Sequence, residues 1–88
     1  MEDQITVDML SVCCADGKLQ PLRFRFVDEN CEIRLVKILE ILSCKEVRYI
    51  QAEAYAFSCR ARIEDRETVL TIRYFIRTHR WCLQGRVY

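Results

Sequence analysis

The sequence predicts a small all-β domain, about six antiparallel strands closed into an SH3-like barrel or folded as a strongly bent sheet. Three observations predict it. Apolar and polar residues alternate at period two in Leu22-Arg23-Phe24-Arg25-Phe26, Cys59-Arg60-Ala61-Arg62-Ile63 and Leu70-Thr71-Ile72-Arg73-Tyr74-Phe75-Ile76-Arg77. That alternation sends one set of side chains into a core and the other, rich in arginine, into water. Short charged or glycine-bearing clusters separate the runs. With 51% hydrophobic residues, two Gly and one Pro, the chain is neither disordered nor of low complexity.

Taken in order, Ile5–Val12 alternates cleanly and forms the first strand, continuing into Cys13-Cys14. Asp16-Gly17 is the strongest turn signal and sits between two apolar runs. Pro21 precedes a strand over Leu22–Val27, a position a residue without an N–H tolerates at a strand's start or edge. Asp28-Glu29-Asn30 makes the next turn, with Asn30 suited to a left-handed conformation.

Residues 31–44 support two readings. Ile33 and Leu35 alternate as in a strand, whereas Leu35, Val36, Leu39 and Leu42 match a helical stripe. A long bulged strand is favoured because the neighbouring hairpin needs a partner. Lys45–Phe57 is equally two-sided, since Ala52, Ala54 and Ala56 suit a short helix. The alternative architecture is therefore α+β, with one helix within residues 35–57.

From Ser58 the pattern sharpens. A strand through Ile63 leads to a charged turn at Glu64–Glu67. A strand over Thr68–Arg77 sets Leu70, Ile72, Tyr74 and Ile76 on its core face. Thr78-His79 turns into a short final strand, Arg80–Leu83, which Gly85 ends. Trp81 is expected to close one end of the core, and Tyr88 to lie at a frayed terminus or a subunit interface. No internal repeat or linker divides the 88 residues, so they form one domain.

The formal net charge of +1 conceals an asymmetry. Acidic residues exceed basic ones up to Glu67, whereas residues 68–88 hold Arg73, Arg77, Arg80 and Arg86 with no acid. Eleven of the fourteen cations are arginine, suited to bidentate or stacked contacts. The plainest role for them is pairing with Asp and Glu on adjacent strands.

The six cysteines do not read as a disulfide framework. The N-terminus, Met1-Glu2-Asp3-Gln4, is acidic and has no apolar leader segment. Cys13 and Cys14 would face opposite ways on a strand, and Cys59 and Cys82 fall within apolar alternation. Reduced, mostly buried thiols in a cytoplasmic protein are expected. No apolar run reaches the ~18–20 residues a membrane helix requires, so no membrane association is expected.

Catalytic signals are weak. His79 is the only histidine, and a Cys82–His79 pair three residues apart across a turn is no nucleophile–base signature. No Cys-x₂₋₄-Cys pair marks a zinc site, Gly17 and Gly85 make no phosphate loop, and Glu64-Asp65 reads as solubilising charge. No enzyme activity, cofactor or metal is expected.

The string from Asp16 to Phe24 resembles the opening hairpin of small uncharacterised bacterial all-β proteins. Arg60-Ala61-Arg62-Ile63, Arg66-Glu67-Thr68-Val69-Leu70 and Arg80-Trp81 are similar to their closing strands. Two features depart from that pattern. Those families carry a second Asp-Gly turn where this chain has Asp28–Cys31, and a glycine within the segment that reads Glu46–Phe57 here. The resemblance implies a small β barrel or sheet in a bacterial cytoplasm and brings no activity or site residues.

The expected site is an arginine-bearing outer face comprising Arg23, Arg25, Arg60, Arg62, Arg73, Phe75 and Arg77. Phe75 points away from Leu70, Ile72 and Tyr74. It is read as part of a second core face, as a protein contact, or as a platform for stacking nucleic-acid bases. The leading expectation is a non-enzymatic interaction or accessory domain that forms a homodimer or binds a protein partner, with its contact at Arg73–Phe75–Arg77. The rival is a nucleic-acid-binding barrel using the same residues. Near-neutral net charge counts against tight phosphate binding.

Overall fold

The computed structural model describes residues 4–50 and 52–84. Strands β1 (Gln4–Cys13), β2 (Leu19–Val27), β3 (Ile33–Tyr49), β4 (Ala52–Ile63), β5 (Arg66–Phe75) and β6 (Arg80–Gln84) follow one another around a closed antiparallel barrel. Closure comes from β6, which pairs with β5 through Ile72–Leu83 and with β1 through Ile5–Leu83. The α+β alternative is overturned: residues 35–50 and 52–57 contain strand and turn but no helix.

Alternation fills the barrel as the sequence predicts on β4, β5 and β6. Phe57, Cys59, Ala61 and Ile63 point inward, meeting Leu70 and Ile72 across the ladder and Trp81 and Leu83 beyond. Phe57, Tyr74 and Trp81 form a tilted aromatic group at one end, with ring centroids 5.6 Å and 4.9 Å from Trp81. Trp81 thus closes the core where expected.

Bulges alter the alternation on β2 and β3. Leu10 pairs with Arg23 but Ser11 pairs with Pro21, so Leu22 is an extra residue in the ladder. Pro21 therefore lies inside β2, fully buried, and Leu22 is displaced to the surface. The pyrrolidine supplies no N–H, and it sits beyond Arg23, the last β2 residue with a β3 partner. On β3 the residues facing the core are Val36, Ile38 and Ile41. Ile33 and Leu35, which alternate as in a strand, face outward and are 64% and 69% exposed. Leu39 and Leu42 are the bulged residues.

The turns correct other expectations. Gly17 has φ +88°, the left-handed conformation its lack of Cβ favours, and Asp16 Oδ1 accepts a hydrogen bond from the Lys18 N–H at 3.0 Å. In the next turn the left-handed residue is Cys31, not Asn30. Asp28 organises this turn: its Oδ1 accepts from the Asn30 and Glu32 N–H groups and its Oδ2 from Arg34 Nε at 2.7 Å. The Arg34 side chain, and the backbone donors with it, hold the Asp28 carboxyl below its usual 3.8. Arg34 also pairs with Glu64, joining two turns at one end of the barrel.

The β4–β5 turn is shorter than expected, Glu64-Asp65 alone. β5 ends at Phe75, so Ile76 and Arg77 belong to the turn that ends at His79 rather than to the strand. His79 takes a left-handed φ of +56° and its Nδ1 shares a hydrogen bond with Tyr74 Oη at 2.8 Å. Gly85 and Tyr88 lie outside the described residues.

Candidate interaction surface

The outer face of β2, β3 and β4 carries an uninterrupted row of cations. Arg23 lies directly across the ladder from Lys37, and Lys37 directly across from Arg62. Strands are ~4.8 Å apart, so the row spans about 10 Å. Like charges set directly opposite one another on a sheet are destabilising. Arg62 has an ion pair, with Glu67 at 3.5 Å, whereas Arg23 and Lys37 have none with any described residue.

Exposed leucines flank this row. Leu10 pairs with Arg23 on its β1 side, Leu35 follows in the next row beside Arg25, and the bulge places Leu22 at the same face. Together with Asp8, Arg25 and Glu64 they line an open groove of about 1030 Å³. Arg25 donates to Asp8 at 2.9 Å across the β1–β2 ladder. The groove therefore sets Arg23 and Lys37, which have no ion pair with any described residue, among exposed leucines, with Arg25 neutralised by Asp8 beside them.

The predicted site does not form one surface. Arg23, Arg25 and Arg62 lie together at the groove. Arg60 lies on the same face but pairs with Glu40 and Glu67, the plain cross-strand role. Arg73 and Phe75 are elsewhere: Arg73 pairs with Ala56, six residues along β4 from Arg62, about 20 Å at 3.3 Å per residue. Both are half-buried, and Phe75 lies across the ladder from Ala54, which is fully buried although it faces outward. Arg77 is exposed in the β5–β6 turn. Of the three, Arg73 and Phe75 share one face of β5, while Arg77 lies beyond the strand's end.

Lys37 and the leucines are the site residues that sequence reasoning missed. Lys37 sits in the stretch with two periodicities, and Leu22 and Leu35 read as core by simple alternation. The signal was available on β3 once a strand is assumed, because Leu35 and Lys37 share a face.

The thiols also differ from expectation. All six are free, but only Cys59 and Cys82 are buried. Burial, with Cys44 nearby, pushes the Cys59 thiol up to about 11; burial also raises Cys44. Cys82 Sγ lies 3.9 Å from Thr6 Oγ1, and His79 is hydrogen-bonded to Tyr74, so the two do not form a Cys–His dyad. Among the described residues no cluster of His, Cys, Asp and Glu is arranged to hold a metal ion, and no helix is long and apolar enough to cross a membrane.

Comparison with protein-family models, characterised proteins and solved structures gives no match.

Proposed function

We propose that this chain is a non-enzymatic protein-interaction domain of the cytoplasm whose contact surface is the groove on β1, β2, β3 and the Arg62 end of β4. The observation that carries this reading is the Arg23–Lys37–Arg62 row set among exposed Leu10, Leu22 and Leu35. Cations side by side cost stability in the free protein and gain it when an anionic partner covers them. Leucines at that surface suit a partner that alternates carboxylates with apolar side chains. Base stacking is a poorer fit, because the groove's one aromatic, Phe24, is buried in the core.

The test uses a fluorescein-labelled peptide alternating Glu with Leu, an all-Glu peptide of the same length, and a mixed-sequence single-stranded oligonucleotide. The Glu/Leu peptide is expected to bind more tightly than the all-Glu peptide and to lose about tenfold or more in affinity with Arg23→Glu. Tighter binding of the oligonucleotide, with a steep loss of affinity as salt rises, would replace this reading with nucleic-acid recognition. No binding of any probe would remove the groove as a site.

A further inference from the structure

β3 outlasts its neighbour on one side. Pairing with β2 stops at Lys37, whereas pairing with β4 continues to Tyr49. Along residues 38–49 the β2-side edge of β3 has no strand partner among the described residues. Bulges at Leu39 and Leu42 break the first part of this edge, a common way of blunting one. From Ser43 to Tyr49 the strand is regular, and most of it is exposed. A regular, exposed edge is a template for another strand.

The charges along it select the occupant. Glu46 and Arg48 lie on the same face, both exposed, and neither has an ion pair with any described residue. An antiparallel pair of identical strands around a two-fold axis sets residues at equal distances either side of the centre opposite each other. Centred on Val47, such a pair places Glu46 opposite Arg48 of the second copy, and symmetry repeats the contact. Val47 then faces Val47 of the second copy. Moving the centre by one residue sets Glu46 or Arg48 against itself, and moving it by two toward the N-terminus sets Lys45 against itself. One register is therefore complementary and its neighbours are repulsive.

We infer that this chain self-associates as a two-fold dimer through its β3 edges, in the register centred on Val47. This surface is separate from the groove, so the two readings stand or fall independently. A single edge-to-edge contact falls below the ~1,200 Å² of a standard interface, which makes the dimer weak and concentration-dependent.

Sedimentation equilibrium of the full chain under reducing conditions, from micromolar to millimolar concentration, tests it. A monomer–dimer equilibrium is expected, weakened about tenfold by Glu46→Arg or by Arg48→Glu and restored when both are combined. Val47→Lys, which sets two lysines face to face, weakens it as well. Circular dichroism establishes that each variant keeps its barrel. A monomer at every concentration, a dimer indifferent to the single reversals, or a double variant no better than the singles would overturn the inference. Lys37→Glu, a change confined to the groove, is expected to leave the dimer unchanged.

Discussion

Lys37→Glu is expected to make the protein more stable while abolishing its binding. Lys37 has a cation directly opposite on each side, Arg23 on β2 and Arg62 on β4. Each like-charge pair costs about 0.2–1 kcal/mol, and reversal replaces each repulsion with an attraction of similar size. Long side chains splay, so the lower half of the resulting range of about 0.8–4 kcal/mol, about 1–2 kcal/mol, is expected. For a domain of this size each kcal/mol raises the melting temperature by about 4–8 °C. Thermal unfolding at low ionic strength measures the gain, and Lys37→Gln is expected to give about half of it. In 1 M salt the Debye length falls to ~3 Å and the gain shrinks. The Glu/Leu peptide serves as the binding readout for the same variant. A charge row that lowers stability and serves binding is the trade-off expected of a functional surface. No gain at low salt, or a gain equally large at 1 M salt, would refute the electrostatic account of the row.

Other consequences follow from the core, the turns and the thiols. Ile72→Ala removes a fully buried side chain between β4 and β6 and is expected to cost about 2–5 kcal/mol in urea unfolding, a large part of a small domain's stability. Asp28 is held below 3.8, so it contributes stability at neutral pH that is lost as pH falls through its depressed folded value. Asp28→Asn is therefore expected to flatten the fall of the unfolding midpoint on the acid side, below about pH 4, and an unchanged acid limb would count against the Arg34 pairing. Brief alkylation of the native protein followed by mass spectrometry is expected to modify Cys13 and Cys31 readily. Cys59 and Cys82 should react only after unfolding, and early labelling of Cys59 would contradict its burial.

Much of this barrel is legible in the sequence, and the illegible parts have one physical origin. Where a strand keeps its ladder residue for residue, side-chain direction has a strict period of two, so Cys59–Ile63 and Leu70–Phe75 reveal their inner and outer faces directly. Arg23, Arg25 and Arg62 are identified as surface cations by that rule alone. Where a bulge adds a residue, the rule slips. On β3, extra residues at Leu39 and Leu42 place Ile38, Ile41 and Cys44 on one face at intervals of three. The bulged residues Leu39 and Leu42 are also two members of the Leu35, Val36, Leu39 and Leu42 stripe that reads as a helix, so the strand's period is hidden there and Lys37 escapes notice. On β2, the bulge moves Leu22 outward and gives its inner place to Pro21.

The amino-acid sequence by itself therefore determines the strand class, the turn at Gly17, the core of β4, β5 and β6, and the presence of an arginine-bearing exterior. Tertiary pairing alone decides which exterior residues meet. It sets Lys37 between Arg23 and Arg62, separates Arg73 and Phe75 from them, and leaves the far edge of β3 without a strand partner among the described residues. Register between strands distant in sequence is fixed by the summed fit of bulges, core packing and closure, none of which a local pattern encodes.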